Sequence, residues 1–176
     1  MAERAILARE RGDGRYAVSR SRWGGTDRAL TAVCAGSVPS SLPVRWEFEH
    51  LADDFRALGR DFDYLGTEVC YRDQRGEITA FLSLWFGLPL ASARPNRGAG
   101  ALVEARSLAD ARRLRDAFRR LKGRLADALL AGECPATAPP VILRGVLAGL
   151  AGRERYVAAS GATSGDLYTN GRADDP

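Results

Sequence analysis

The chain has 176 residues and a formal net charge of +4; 45% of its residues are hydrophobic and 27% charged. That length supports one sizeable core and the composition excludes a disordered chain, while no apolar run approaches the roughly 18 residues of a membrane span. The opening, MAERAILARERGDG, is charged and lacks a secretory apolar stretch, so a cytoplasmic protein with no membrane partner is expected.

In chain order, residues 4–10 and 15–20 read as two short strands around RGDG, where Asp13-Gly14 is a hairpin signal. After Gly25, Thr26 or Asp27 can cap a short helix over RALTAVCA that Gly36 ends. SVPSSLP reads as a loop. In WEFEHLADDFRALG, the residues Phe48, Leu51, Phe55 and Leu58 step by three and four, which predicts an amphipathic helix over 46–58 closed by Gly59. TEVCYRD and EITAFLSLWF flank QRG as a second hairpin. The latter is apolar almost throughout, as a strand buried on both faces would be, and Pro89 and Pro95 end it. Residues 99–106 make a further strand.

The best-defined element is a helix over 108–131. Ser107 and Asp110 give it a capping-box-like start, Ala111, Leu114, Phe118, Leu121, Leu125 and Leu129 form its apolar stripe, and Gly132 stops it. VILRGVLAGLAG is a short apolar helix or strand, and ERYVAAS is the last strand. Residues 1–160 are thus expected to form a single α+β domain, a mixed or largely antiparallel sheet of five or six strands packed by the helices at 108–131 and 46–58. Residues 161–176, small and polar, read as a disordered tail.

Charge is uneven. Residues 44–77 carry five arginines against nine acids, and residues 94–124 carry nine arginines and a lysine against three acids. Of the 26 cations 25 are arginine, Lys122 being the single lysine; beside so many alanines and glycines, this resembles the codon bias of a GC-rich genome. Cys34, Cys70 and Cys134 are odd in number and widely spaced, with His50 the one histidine, so they read as free thiols rather than zinc ligands.

Two surfaces are candidates for function. The turn at Arg20, Arg22, Trp23, Gly24 and Gly25 can be read as an anion or nucleotide pocket, with backbone N–H groups freed by the glycines and a helix start behind them. It can equally be a hinge in which Trp23 plugs the core and the glycines allow the turn. On the predicted helix, Arg112, Arg115, Arg119 and Lys122 form one side, with Arg113, Arg120 and Arg124 on another. Such a face suits nucleic acid or an acidic protein partner, or else is a solvated surface paired with the acidic stretch at 46–58. A Cys34–His50 or Cys70–His50 pair is conceivable in space. Glu47, Glu49, Asp53, Asp54, Asp61 and Asp63 read as a solvated acidic cluster, since supporting metal ligands are not identifiable.

RAILARE-x-G-D-G-x-Y, then Ser21-x-Trp23-Gly24-Gly25, then Leu84-Trp85-Phe86-Gly87-Leu88 with Gly100-Ala101-Leu102-Val103, together resemble an uncharacterised family of small haloarchaeal proteins, a domain of unknown function. The likeness runs through residues 4–158 and implies a shared α+β fold and an archaeal source, but no activity. Where that family has a histidine before the tryptophan this chain has Arg22, and its net positive charge departs from the acidic surfaces of haloarchaeal proteins.

The expected function is therefore a small cytoplasmic binding or accessory protein that applies its arginine-rich helix to nucleic acid or an acidic partner. The alternative is an anion or nucleotide binder, or an enzyme, with its site at the turn. No catalytic residue, metal ligand or cofactor is assigned.

Overall fold

A computed structural model describes residues 3–88, 99–150 and 152–158; the expected strand end at Pro89 and Pro95 and the expected tail at 161–176 lie outside the described residues. The first hairpin forms as the sequence predicts, with β1 at Ala5–Glu10 and β2 at Tyr16–Ser21. Gly14 takes φ +80°, the left-handed conformation its turn requires, and Asp13 accepts from the Arg15 backbone N–H at 3.1 Å. Helix α1 spans Asp27–Cys34, with the Thr26 hydroxyl accepting from the Ala29 N–H.

The expected helix at 46–58 is not formed. Its place is taken by strand β3, Glu47–Ala52, and a short helix α2, Phe55–Arg60. β3 pairs antiparallel with β2, Tyr16 opposite Ala52 and Arg20 opposite Glu47, supplying backbone partners that the outer edge of the hairpin would otherwise lack. Asp54 then caps α2, its carboxylate accepting from the Ala57 N–H at 2.6 Å. Phe55 and Leu58 are buried, whereas Phe48 remains 64% exposed. The three-and-four spacing joined residues of two different elements.

The rest follows the sequence closely: β4 at Val69–Gln74, β5 at Glu77–Trp85, β6 at Gly100–Glu104, α3 at Leu108–Leu130, α4 at Ala138–Ala148 and β7 at Arg155–Ala158. Of the ambiguous VILRGVLAGLAG run, residues 141–148 are helical, with Leu143 and Leu147 turned inward. The fold is α+β, a seven-stranded mixed sheet in the order β3-β2-β1-β4-β5-β6-β7 with four helices. The strand beyond the expected five or six is β3. All neighbouring pairs are antiparallel except β1 with β4, where Ala5 lies opposite Val69 and Arg9 opposite Asp73.

Strands β1, β4, β5, β6 and β7 alternate between two cores, one on each face of the sheet, whereas β2 and β3 contribute to one alone. One face of the sheet, with Leu7, Tyr71, Leu82 and Val103, packs against Leu30 of α1, Phe118 and Leu125 of α3 and Leu143 of α4. The other, with Ile6, Val18, Phe81 and Leu102, is covered by Phe55 and Leu58 of α2 and by Phe62 and Tyr64. Arg72 is buried within this second core. Glu154, the Tyr156 hydroxyl and Thr79 Oγ1 accept from its guanidinium, which lies 5.5 and 5.3 Å from the Phe55 and Phe81 ring centres.

Asp110 ties α3 to the strand that closes the sheet. Its backbone N–H donates to Ser107 Oγ at 3.1 Å, and its carboxylate accepts from the Arg106 N–H, one residue earlier than a capping box would use. The same carboxylate takes both Arg153 Nη atoms, at 2.6 and 2.7 Å. These bonds hold the Asp110 carboxyl down at about 2. Because its folded value lies below its unfolded value, its contribution is complete above about pH 4 and is lost as pH falls toward 2. Asp110→Asn is expected to lower stability by about 2 kcal/mol at pH 7 and to flatten the acid limb between pH 4 and 2, read by denaturant unfolding across pH.

Candidate functional site

The glycine turn is built for close packing. Gly25 donates its N–H to Glu3 O at 2.8 Å, and Gly24 O accepts the Tyr71 hydroxyl at 2.8 Å. A Cβ on Gly25 would stand 2.7 Å from Arg4 O, and one on Gly24 2.8 Å from the Trp46 ring. Trp23, read from sequence as the core plug, is instead 55% exposed. The chain swings outward at 22–23 so that the two glycines can lie against β1. Trp46 fills the space, donating from Nε1 to Pro39 O at 2.9 Å and meeting Tyr71 edge-on. Of the turn's arginines, Arg20 is paired with Glu49 at 2.9 Å and Arg22 is exposed.

The basic helix is neutralised at its start by acids other than those expected. Arg112 meets Asp27 at 2.6 Å, and Arg115 bridges Asp27 and Glu68 at 3.7 and 3.8 Å. Arg119 pairs with Asp116 at 3.3 Å, and Arg113 with Asp110 at 3.7 Å. Arg120 and Arg124 are exposed and have no ion pair among the described residues. Asp27 begins α1, so the turn's helix is the element that engages the basic helix; the acidic 46–58 stretch does not.

Lys122 does not share the solvent-facing role of its neighbours. Its stem crosses the end of β5, placing Nζ 4.4 Å from the Trp85 ring centre and 5.9 Å from that of Phe118, and Nζ donates to Trp85 O at 3.1 Å. Burial alone pulls its ammonium down to about 8.

Lys122, Arg115 and Arg119 line a cleft of about 440 Å³ between the middle of α3 and the side of the sheet where β4 begins and β5 ends. Its apolar walls are Leu84, Trp85 and Phe118, with Leu65 and Tyr64 at the rim; Thr67, Ser83 and Glu68 bring polar groups. Three cations thus face one carboxylate on an aromatic floor. A second cavity of about 460 Å³ adjoins it, sharing Leu65, Glu68, Arg115 and Arg119 and reaching Glu3, Arg4 and Gly25. The two candidate surfaces read from sequence therefore meet: Gly25 of the turn and Arg115 and Arg119 of the helix line continuous space, while Arg20, Arg22 and Trp23 are not among the lining residues.

Such a cleft can take a small anion with a flat apolar body: guanidinium forks suit a carboxylate or phosphate, and aromatic faces suit a ring. The chain matches no protein-family model, no curated protein and no solved structure.

The remaining candidates come apart. Cys70 is fully buried on β4, and burial raises its thiol well above the usual range. His50 sits on β3, three strands away, about 14 Å across the sheet. The Cys34 thiol donates to Ala105 O at 3.7 Å, and burial raises its pKa. Glu49 is engaged by Arg20, Asp54 caps α2, and Asp63 accepts from the Gly66 N–H. Among the described residues no three metal-ligating side chains cluster, and no helix is long and apolar enough to cross a membrane.

Sequence reasoning missed Tyr64, Thr67, Glu68, Ser83 and Trp85 as cleft residues. The visible pointer was Lys122, one lysine among arginines on a helix whose apolar stripe runs beside it. The turn's role separates on substitution: Gly25→Ala is expected to cost about 2 kcal/mol or more, since the clash is with backbone, and Trp23→Ala less than about 0.5 kcal/mol, both read from urea unfolding midpoints.

Proposed function

We propose that the protein binds a small organic anion, a carboxylate or phosphate carried on an aromatic or similarly flat body, in the cleft between α3 and the β4–β5 end of the sheet. The observation that carries this reading is the convergence of Arg115, Arg119 and Lys122 with Trp85 and Phe118 on one cleft large enough for such a molecule. The guanidinium groups would hold the anion and the rings would cover the apolar body. Arg115 is only loosely paired, at 3.7 and 3.8 Å, so an incoming anion can replace Asp27 or Glu68 without breaking a short bond. This is a relative of the anion pocket considered at the glycine turn, moved by one element onto α3.

A second reading is supported by a different observation: Arg120 and Arg124 are exposed and have no ion pair among the described residues, beside the exposed Arg112, Arg113 and Arg119. That outer face of α3 would serve nucleic acid or an acidic protein. It is the weaker reading, because Arg112 is already held by Asp27 at 2.6 Å and Lys122 is turned into the cleft.

The two readings separate in solution. Phenyl phosphate is expected to bind by calorimetry and to change the tryptophan fluorescence through Trp85, whereas phenol is not. Arg115→Ala and Arg119→Ala should each weaken that binding about tenfold, the scale of a lost charge-assisted hydrogen bond. Absence of binding by any aromatic phosphate or carboxylate, together with oligonucleotide binding that collapses between low and moderate salt and is lost in Arg120→Ala/Arg124→Ala, would reverse the order of the two.

A further inference from the structure

Lys122 differs from every other cation of the chain in kind as well as in place. A guanidinium holds its proton throughout the accessible range and offers no nucleophile, whereas an amine that loses its proton carries a reactive lone pair. Of the 26 cations in this chain, Lys122 is the one with that capacity. Its position suits the use of it. Nζ lies at the cleft, over the Trp85 ring and near Phe118, and its described polar contact is the single bond to Trp85 O. With one N–H committed to that carbonyl, the neutral amine stays oriented and keeps a lone pair for a ligand.

The anion-holding groups stand at a useful distance. Arg119 and Arg115 precede Lys122 by three and seven residues on the same helix, about one and two turns away, which sets them about 4.5 and 10.5 Å along the helix axis from the lysine. A compound with an anionic group at one end of a ring-sized body would therefore bring its other end to Nζ.

We propose that Lys122 is a carbonyl-reactive amine that forms a Schiff base with an aldehyde or ketone carried by an anionic, flat-bodied ligand of this cleft. The proposal rests on the small-anion reading of the cleft and deepens it. The ammonium first gives one proton to solvent. The Nζ lone pair then attacks the carbonyl carbon, forming a C–N bond while the C=O π pair goes to oxygen, which takes a proton. The nitrogen loses a proton to give the neutral carbinolamine; its hydroxyl then takes a second proton, the C–O bond breaks so that oxygen leaves as water while the C=N bond forms, and the iminium gives up its last N–H proton. Amine and carbonyl give imine and water, with nothing oxidised or reduced. The desolvation that pulls Lys122 down to about 8 makes the first step accessible near neutral pH. The described charged or titratable groups lining the cleft with it are Arg115 and Arg119 on its own helix and Tyr64 and Glu68 on the segment before β4.

The test uses the full chain and pyridoxal 5′-phosphate as probe, an aromatic aldehyde that carries a phosphate. After borohydride reduction, intact mass and peptide mapping report where the probe is fixed; the amines of the chain are Lys122 and the N-terminus. One adduct at Lys122 is expected, absent from Lys122→Arg and Lys122→Met. Its formation rate should rise about tenfold from pH 7 to 9 and then level off, where the same chain unfolded in urea continues to rise toward pH 10.5. Arg115→Ala should slow it about tenfold at low probe concentration.

Pyridoxine 5′-phosphate, which has an alcohol in place of the aldehyde, reads the cleft without the covalent step and should bind the native chain, about tenfold more weakly in Arg115→Ala. If it binds but no Lys122 adduct forms, or if the adduct forms no faster than in the unfolded chain, the Schiff-base proposal is overturned and the anion cleft stands. If the adduct forms at Lys122 with pyridoxal as fast as with its phosphate and independently of Arg115, the reactive amine stands and the anion reading falls. If neither probe binds nor reacts, both are overturned.

Discussion

The close approach of Gly24 and Gly25 to the start of β1 is the constraint on which the placement of the cleft depends. With Gly25 N–H bonded to Glu3 O and Gly24 O bonded to the Tyr71 hydroxyl, the turn is pressed onto the sheet at a separation that no side chain permits. Helix α1 starts at once behind it, so Asp27 emerges at a fixed point above the sheet. That point is where Arg112 and Arg115 of α3 arrive. The backbone packing of one short turn thereby fixes the acid that meets the start of a 23-residue helix, which Ala111, Phe118 and Leu125 seat on the sheet. At its other anchor, Asp110 fastens the beginning of α3 to Arg153 and so to β7. Held at these places, the middle of α3 stands over the end of β5 with room for a cleft.

Most of this fold was legible where local chemistry and periodicity agreed. The two hairpins announce themselves through Asp13-Gly14 and Gln74-Arg75-Gly76, where Arg75 and Gly76 both take positive φ. The stripe on α3 and the Ser107 cap place the long helix to within a residue. The failure at 46–58 has a physical reason. Phe48, Leu51, Phe55 and Leu58 match a helical face, but whether they form one depends on an unsatisfied strand edge next door, and Asp54 was an unrecognised cap that starts a new element. The parallel pairing of β1 with β4 is likewise decided far along the chain, after β2, α1, β3 and α2 have been laid aside.

The cleft was harder to see, because it draws on three separated segments: 64–68 before β4, 83–85 at the end of β5, and 115–126 on α3. Each has a sufficient local explanation. Trp85 reads as part of an apolar central strand, Phe118 as a member of the helix stripe, Arg115 and Arg119 as a solvated face. Only their meeting gives them another meaning, and that meeting is tertiary. The exchange of roles between Trp23 and Trp46 shows the same limit: both are tryptophans near glycine or strand signals, and which one packs against the core follows from where β3 docks.

The way the protein treats its buried cations sharpens the case for the cleft. Arg72 is brought into the core with a carboxylate, a phenol and a hydroxyl accepting its protons and two rings against its plane, and Arg153 receives both oxygens of Asp110. A buried charge needs partners of this kind, since desolvation otherwise costs more than a fold can spare. Lys122 is given one carbonyl and two aromatic faces. That provision suits an amine, which changes its protonation state readily, better than a permanent cation. The composition that drives nearly every other basic position to arginine meets here a site whose chemistry suits lysine, and the site is a cleft wide enough for a ligand to reach it.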